Sequence, residues 1–462
     1  MRDSVNDDLR RAVREVLPGV RADLDALIRI PSVSADPAAA GDVRRCAELT
    51  ARLFLAGAAR EVEILDDVPG GRPVVVATCP APPGRPTVLL YAHYDVQPAG
   101  DPAAWSGGPF EPWESGGRLY GRGSADDKAG IAVHLAALRA YGGRPPVGVV
   151  VIVEGEEEIG SPTLGAFLDR HRARLAADVI VLADSENFEA GVPSFTTTLR
   201  GLANCVVEVR TLAENAHSGT YGGAAPDALT ALCRLLATLH DEHGHVAVDG
   251  LVTGRPPQAD YPAERFRAEA GVLDGVGLLG SGGVAERVWA GPAATVLAID
   301  APAVPEAANA LTASARAKVS LRVAPGDDAV RARAALAGHL RAHAPWGARV
   351  EVTEAEVAQP YAVDTRGPAF EAARRAYRRA FGGDVVDVGG GGAIPFVAEF
   401  AAACPDAAIL ITSPGGDPAA RAHGVDENLH LADFEQACLA EALLLAELAN
   451  GVEGAGGADG AE

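Results

Sequence analysis

Cysteine is scarce and scattered in this sequence. Its six cysteines, Cys46, Cys79, Cys205, Cys233, Cys404 and Cys438, include no Cys-x-x-Cys pair. That spacing offers no thiolate zinc site and no disulfide framework, and it suits a reducing compartment. Positive charge is also in deficit, with 40 Lys and Arg against 62 Asp and Glu and a formal net charge of −22. Such a surface repels phosphate, which argues against a nucleic-acid or anionic-membrane partner. Long apolar runs are missing too, and none is of a length that spans a bilayer. The N-terminal stretch "MRDSVNDDLRRAVREV" lacks the apolar centre of a signal peptide. The expectation is a soluble, cytoplasmic protein.

What is present is ample core material. The 462 residues are 48% hydrophobic and 22% charged, enough for two or three globular domains. Helical spacing over residues 5–30 stops at Pro31, and a second helical segment, "GDVRRCAELTARLFLAGA", follows. Short apolar runs with strand character come next: "PVVVATC", "PTVLLYAHYD", "VGVVVIVEGEE" and "DVIVLADSE". Near-continuous apolar strands alternating with helices predict an α/β fold, a mostly parallel sheet flanked by helices. After residue 196 the pattern becomes α+β, with alternating strands and amphipathic helices, and α/β character returns near Tyr361. The reading is a discontinuous catalytic domain, 1–196 and 357–450, interrupted by an inserted α+β domain, 197–356. The Gly/Ala/acid-rich tail 451–462 is expected to be disordered.

Polar clusters stand at the carboxyl ends of the predicted strands: His93 and Asp95, then Glu156–Glu158, then Asp184, and the loop that carries His423. Asp126 and Asp127 lead into a helix. Ligands of open α/β sheets bind outside the carboxyl ends of their strands. Imidazoles and carboxylates without thiolates suit Zn²⁺ or Mn²⁺ in a catalytic rather than a structural site. Asp126, Glu158 and Asp184 together with one hydroxide would neutralise two divalent ions, leaving a further carboxylate to handle protons. Two such ions, about 3.5–4 Å apart, acidify water and polarise a carbonyl. The bland reading of three adjacent glutamates is a solvated loop. The strand before them and Gly160-Ser161 after them favour a site for two of the three.

The segments "YAHYDVQPAG", "LYGRGSADDKAG", "EGEEEIGS", "AHSGTYGG" and "HGVDENL" resemble the motifs of the dinuclear metallopeptidase family of carnosine-type dipeptidases. That family also holds carboxypeptidase G, aminoacylase, acetylornithine deacetylase and succinyl-diaminopimelate desuccinylase. The matches run in family order from about residue 90 to about residue 430, with spacing nearest the dipeptidase branch. The resemblance implies that His93 and Asp184 bind one metal, Glu158 and His423 the other, and that Asp126 bridges both. It makes Glu157 the general base and acid of peptide hydrolysis by a hydroxide shared between the ions. Asp95 would orient the His93 ring, and Glu156 would be an exposed bystander. Asp127 would hydrogen-bond locally, and neither Asp126 nor Asp127 is expected to serve the helix dipole.

In the inserted domain the resemblance makes His217 an oxyanion-stabilising lid residue, although "HSG" is also a common turn. Asn309 and Arg322 would contact the substrate amide and carboxylate, or they simply sit on a solvated strand face. The implied cofactor is two divalent ions, Zn²⁺ first, with Mn²⁺ or Co²⁺ as alternatives. The implied assembly is a homodimer through the inserted domain. One segment departs from the pattern. Dipeptidase relatives read Arg-Glu-Gly-Gly-Ser-Ile-Pro where this chain reads "GGGGAIP", so Gly389, Gly390 and Ala393 lack an arginine, an acid and a hydroxyl. The N–H groups of Gly391 and Gly392 could still bind an anion. The substrate therefore stays open between a dipeptide or short peptide and an N-acyl-amino acid. A non-catalytic binding protein on the same fold is the third reading.

Overall fold

Five Val- and Ile-rich segments, each with most residues buried, pair into one sheet because only a sheet covered on both faces can bury near-continuous apolar runs. The computed structural model describes residues 2–392 and 394–455. The order across the sheet is Glu61–Leu65, Val74–Cys79, Gly148–Glu154, Thr87–His93, Val179–Leu182, Ala408–Ile411. The last four strands are mutually parallel, and Val74–Cys79 and Glu61–Leu65 are added antiparallel. The fold is the expected α/β class, and the parallel strands deliver their carboxyl ends to one edge.

Side chains alternate along Thr87–His93 and so reach two helical layers. Val88, Leu90 and Ala92 join the core built with helices Arg2–Ile28, Lys128–Ala140, Pro368–Phe381 and Leu431–Ala455. Tyr91 points the other way, its ring 4.5 Å from Phe396 and 5.2 Å from Phe400 on the helix Pro395–Ala403. The closing helix takes in the first five residues of the expected tail, 451–455; the rest of the tail lies outside the described residues.

The chain divides into two compact units. One comprises Met1–Thr196, Val363–Val388 and Pro395–Glu462; the other comprises Thr197–Ala362 and Gly389–Ile394. The second is an antiparallel sheet in the order Ala293–Asp300, Ser314–Val323, Gly201–Arg210, Arg349–Ala358. Its inward residues Ala203, Cys205, Val207 and Val209 pack with helices Ala228–Ala237 and Ala329–Ala342. This unit runs past residue 356, where the sequence placed its end, because Tyr361 and Ala362 pair with Leu199 and Thr198. It also takes in the glycine run, which the sequence assigned to the other domain. There the Arg200 Nε–H donates to the Gly391 carbonyl at 3.0 Å, and a side chain at Gly389 would begin only 2.4 Å from the Trp289 Cβ.

Candidate metal centre

His93 is the last residue of its strand and wholly buried. Its Nδ1–H donates to the main-chain oxygen of Asp95 at 3.1 Å, which turns Nε2 toward the neighbouring carboxylates. Nε2 lies 3.1 Å from Asp126 Oδ1 and 3.8 Å from Asp184 Oδ1. The other oxygen of Asp126, Oδ2, lies 2.9 Å from His423 Nε2, which is also 3.2 Å from Glu158 Oε2. Two ligand groups therefore share Asp126: His93 with Asp184, and His423 with Glu158. The Asp126–Asp127 peptide is cis.

The donor set fits two cations. Burial pulls His93 down, yet the facing carboxylates Asp126, Asp184 and Asp95 hold its imidazole well above the usual range. Hydrogen bonds to Asp126 and Glu158 push His423 up to about 10. Burial opposes ionisation of Asp126, but the two imidazoles prevail and hold its carboxyl well below the usual range. These shifts show that the clustered carboxylates favour positive charge at both groups, which divalent cations would supply.

The glutamate turn is built from both sides. Gly155 follows the strand because the Tyr94 ring lies 2.2 Å from where a side chain would begin. Glu154 is pushed up to about 8 by burial and accepts from Tyr91 Oη at 2.5 Å and Ser161 Oγ at 3.0 Å, so it stays out of the metal groups. Glu157–Ile159 forms one 3₁₀ turn, closed by Gly160 at φ 86°. The Asp95 carboxylate accepts from the main-chain N–H of Glu157 (3.2 Å) and of Glu158 (3.1 Å). Asp95 thus faces the His93 ring as expected, its carboxylate 3.4 Å from Nδ1 beside the main-chain contact, and the same carboxylate also fixes the turn. The Glu157 carboxyl accepts no hydrogen bond among the described residues. Burial first, then the Asp184 charge, holds it well above the usual range.

One further expectation needs correction. Glu156 is not exposed: only 3% of its surface is accessible. Its carboxylate accepts from the N–H of Arg72 (3.1 Å), the N–H of Thr163 (2.8 Å) and the hydroxyl of Thr163 (2.5 Å), buckling both flanks of the turn. A buried acceptor removed from three donors costs about 1–3 kcal/mol or more. Glu156→Ala is thus expected to lower stability by about 2–4 kcal/mol, read as a lower melting temperature; an unchanged melt would restore the bystander reading. Asp127 hydrogen-bonds locally, as expected: its carboxylate accepts from Gly130 N at 3.2 Å and so caps Lys128–Ala140. Sequence reasoning also passed over Gln97, whose N–H (3.0 Å) and Nε2–H (2.8 Å) both donate to the Glu158 carboxylate. Its signal was positional: His93, Asp95 and Gln97 fall at every second residue.

In the inserted unit, the N–H of Thr220 donates to His217 Nδ1 at 3.2 Å, which places the ring proton on the exposed Nε2. The Asn309 carbonyl accepts from the N–H of Ser218 at 3.0 Å, so Asn309 and His217 are brought together. Arg322 is not among their partners. It is half-buried, lies 3.8 Å from where a side chain on Gly392 would begin, and has no ion-pair partner among the described residues. Beside it, Arg200 is lowered to about 10 by burial and then by the Arg322 charge. Gly391 and Gly392 therefore border two guanidiniums. Ala393 lies outside the described residues.

The sequence profile of peptidase family M20/M25/M40 matches residues 89–447, a span that holds both ligand groups. The chain belongs to this family. It is accordingly a metallopeptidase, and its M20 relatives include a cysteinylglycine-S-conjugate dipeptidase from Corynebacterium striatum. That protein is 41% identical over 367 residues, 78% of this chain and 80% of the relative. The fold is shared with human carnosine dipeptidase 1, at TM-score 0.80 and 23% identity over 96% of this chain and 99% of that one. It is shared equally with an M20 metallo-carboxypeptidase from Sulfolobus solfataricus, at TM-score 0.79 and 20% identity over 93% and 99%.

Proposed function

We propose that this metallopeptidase is a dinuclear dipeptidase, and that dipeptides of the cysteinylglycine S-conjugate class are its first substrates to test. The observation that carries the reading is one carboxylate, Asp126, presenting its two oxygens to two imidazoles, with Glu157 unengaged beside them. His93, Asp184 and Asp126 would hold one ion, and Asp126, Glu158 and His423 the other. Zn²⁺ suits this mixed N/O set, with Mn²⁺ or Co²⁺ as alternatives. Such a pair of ions supplies an acidified water and a polarised carbonyl. Glu157 takes the proton of the attacking water on its carboxylate and returns it to the leaving amine. His217 offers its Nε2–H to the substrate oxygen. Arg322 binds the substrate carboxylate, with the Gly391 and Gly392 backbone alongside and Asn309 on the amide.

The missing side chains at Gly389 and Gly390 support a second reading, an N-acyl-amino-acid deacylase. Mass detection of the amino acids released from a mixed panel separates the two. The proposal expects kcat/KM for cysteinylglycine S-conjugates at least about tenfold above that for N-acetyl-amino acids, a difference of about 1.4 kcal/mol; release from the N-acyl compounds alone would transfer the assignment.

The assembly is a homodimer joined along the edge strand Ala293–Asp300, which leaves Val296, Leu297 and Ile299 exposed beside unpaired backbone groups. Leu297→Lys should convert it to a monomer in sedimentation velocity, and a monomeric parent protein would refute the assignment. All six cysteines are free, which suits a reducing cytoplasm. Among the described residues no helix is long and apolar enough to cross a membrane.

A further inference from the structure

Arg122 and Glu427 lie 305 positions apart in the chain and meet as an ion pair of 2.6 Å, with 1% and 0% of their surfaces accessible. A buried ion pair is a poor way to gain stability, since desolvation takes back most of the attraction. The remaining bonds of the pair point to a different use. The second oxygen of Glu427, Oε1, accepts from the main-chain N–H groups of Ala125 (3.0 Å) and Asp126 (3.2 Å). The second nitrogen of Arg122, Nη2, donates to the main-chain oxygens of His423 (3.1 Å), Gly424 (3.1 Å) and Pro98 (3.4 Å).

The loop so gripped needs holding. Arg421, His423 and Asp426 all take left-handed backbone angles, φ 56°, 63° and 58°, which residues with a side chain adopt only under constraint. The His423 side chain is 57% exposed, so little packing fixes its ring. We infer that Arg122 and Glu427 are positioning residues, a clamp that sets the His423 main chain against that of Asp126 and so brings His423, Asp126 and Glu158 into one ligand group. Arginine is required because its planar fork serves a carboxylate and a row of carbonyls at once, which a lysine ammonium cannot do in the same geometry.

The inference rests on the two-ion reading, and one experiment separates the two. Full-length zinc-loaded protein is dialysed against buffers of graded free Zn²⁺, and bound zinc is counted. The parent protein should hold two equivalents and His423→Ala one. Glu427→Gln and Arg122→Lys should each lose one equivalent at a free Zn²⁺ at least about tenfold higher than the parent does, and keep the other at the parent's level. Arg122→Lys keeps the buried charges balanced, which guards against a variant that merely fails to fold. If both variants melt earlier yet hold two equivalents at the parent's zinc level, the role is structural and the clamp is refuted. A parent that holds one equivalent, or a His423→Ala variant that holds two, refutes the two-ion reading and the clamp with it.

Discussion

Glu157→Gln is expected to keep its full metal content and lose about 10²–10⁴-fold in kcat, the range that general acid–base catalysis contributes. Glutamine preserves shape and reach but cannot take a proton from water or return one to an amine. Glu157 would suit the task because no hydrogen bond engages its carboxyl among the described residues, while burial and the Asp184 charge raise its proton affinity. The neighbouring variant, Glu158→Gln, should do the opposite. It should weaken zinc binding, because the Glu158 oxygens are committed to the His423 group and to Gln97. Metal analysis alongside steady-state kinetics distinguishes the two; a Glu157→Gln protein that loses zinc and a Glu158→Gln protein that keeps it would show the roles to be reversed.

Asp126→Asn should be more damaging than removal of any other single ligand. The Asp126 oxygens face different imidazoles, at 3.1 Å and 2.9 Å. An asparagine must turn its amide N–H₂ toward one of them and so presents hydrogens where a ligand oxygen stood. The expected outcome is a protein holding at most about one ion, bound weakly, with activity below about 10⁻³ of the parent, since both proton transfer and electrostatic stabilisation suffer. Asp184→Asn touches only one group and should leave the His423 group's ion in place. Elemental analysis after dialysis reads both variants, and equal metal loss in the two would remove the case for a shared carboxylate.

The parts of the centre that follow strand ends were legible in the sequence. His93 and Asp184 stand where near-continuous apolar runs stop, and parallel pairing puts those ends on one edge. What was not legible depends on partners distant along the chain. Glu156 reads as one more acid in a charged loop until Arg72, 84 positions earlier, is seen to donate to it. The far end of the inserted unit was misjudged because Tyr361 and Ala362 look apolar in either domain, and only their pairing with Leu199 and Thr198 assigns them.

The close fit of Gly389 beneath Trp289 limits what position 389 can carry. An arginine cannot be placed at position 389 by one substitution, because even its first carbon would stand 2.4 Å from the Trp289 Cβ and 2.8 Å from the Thr198 hydroxyl. Any other residue at 289 except glycine carries that same Cβ, so trimming the indole alone does not open the way; the backbone there must shift as well. Positions 289 and 389 therefore constrain one another: a side chain at 389 requires the backbone facing it to move.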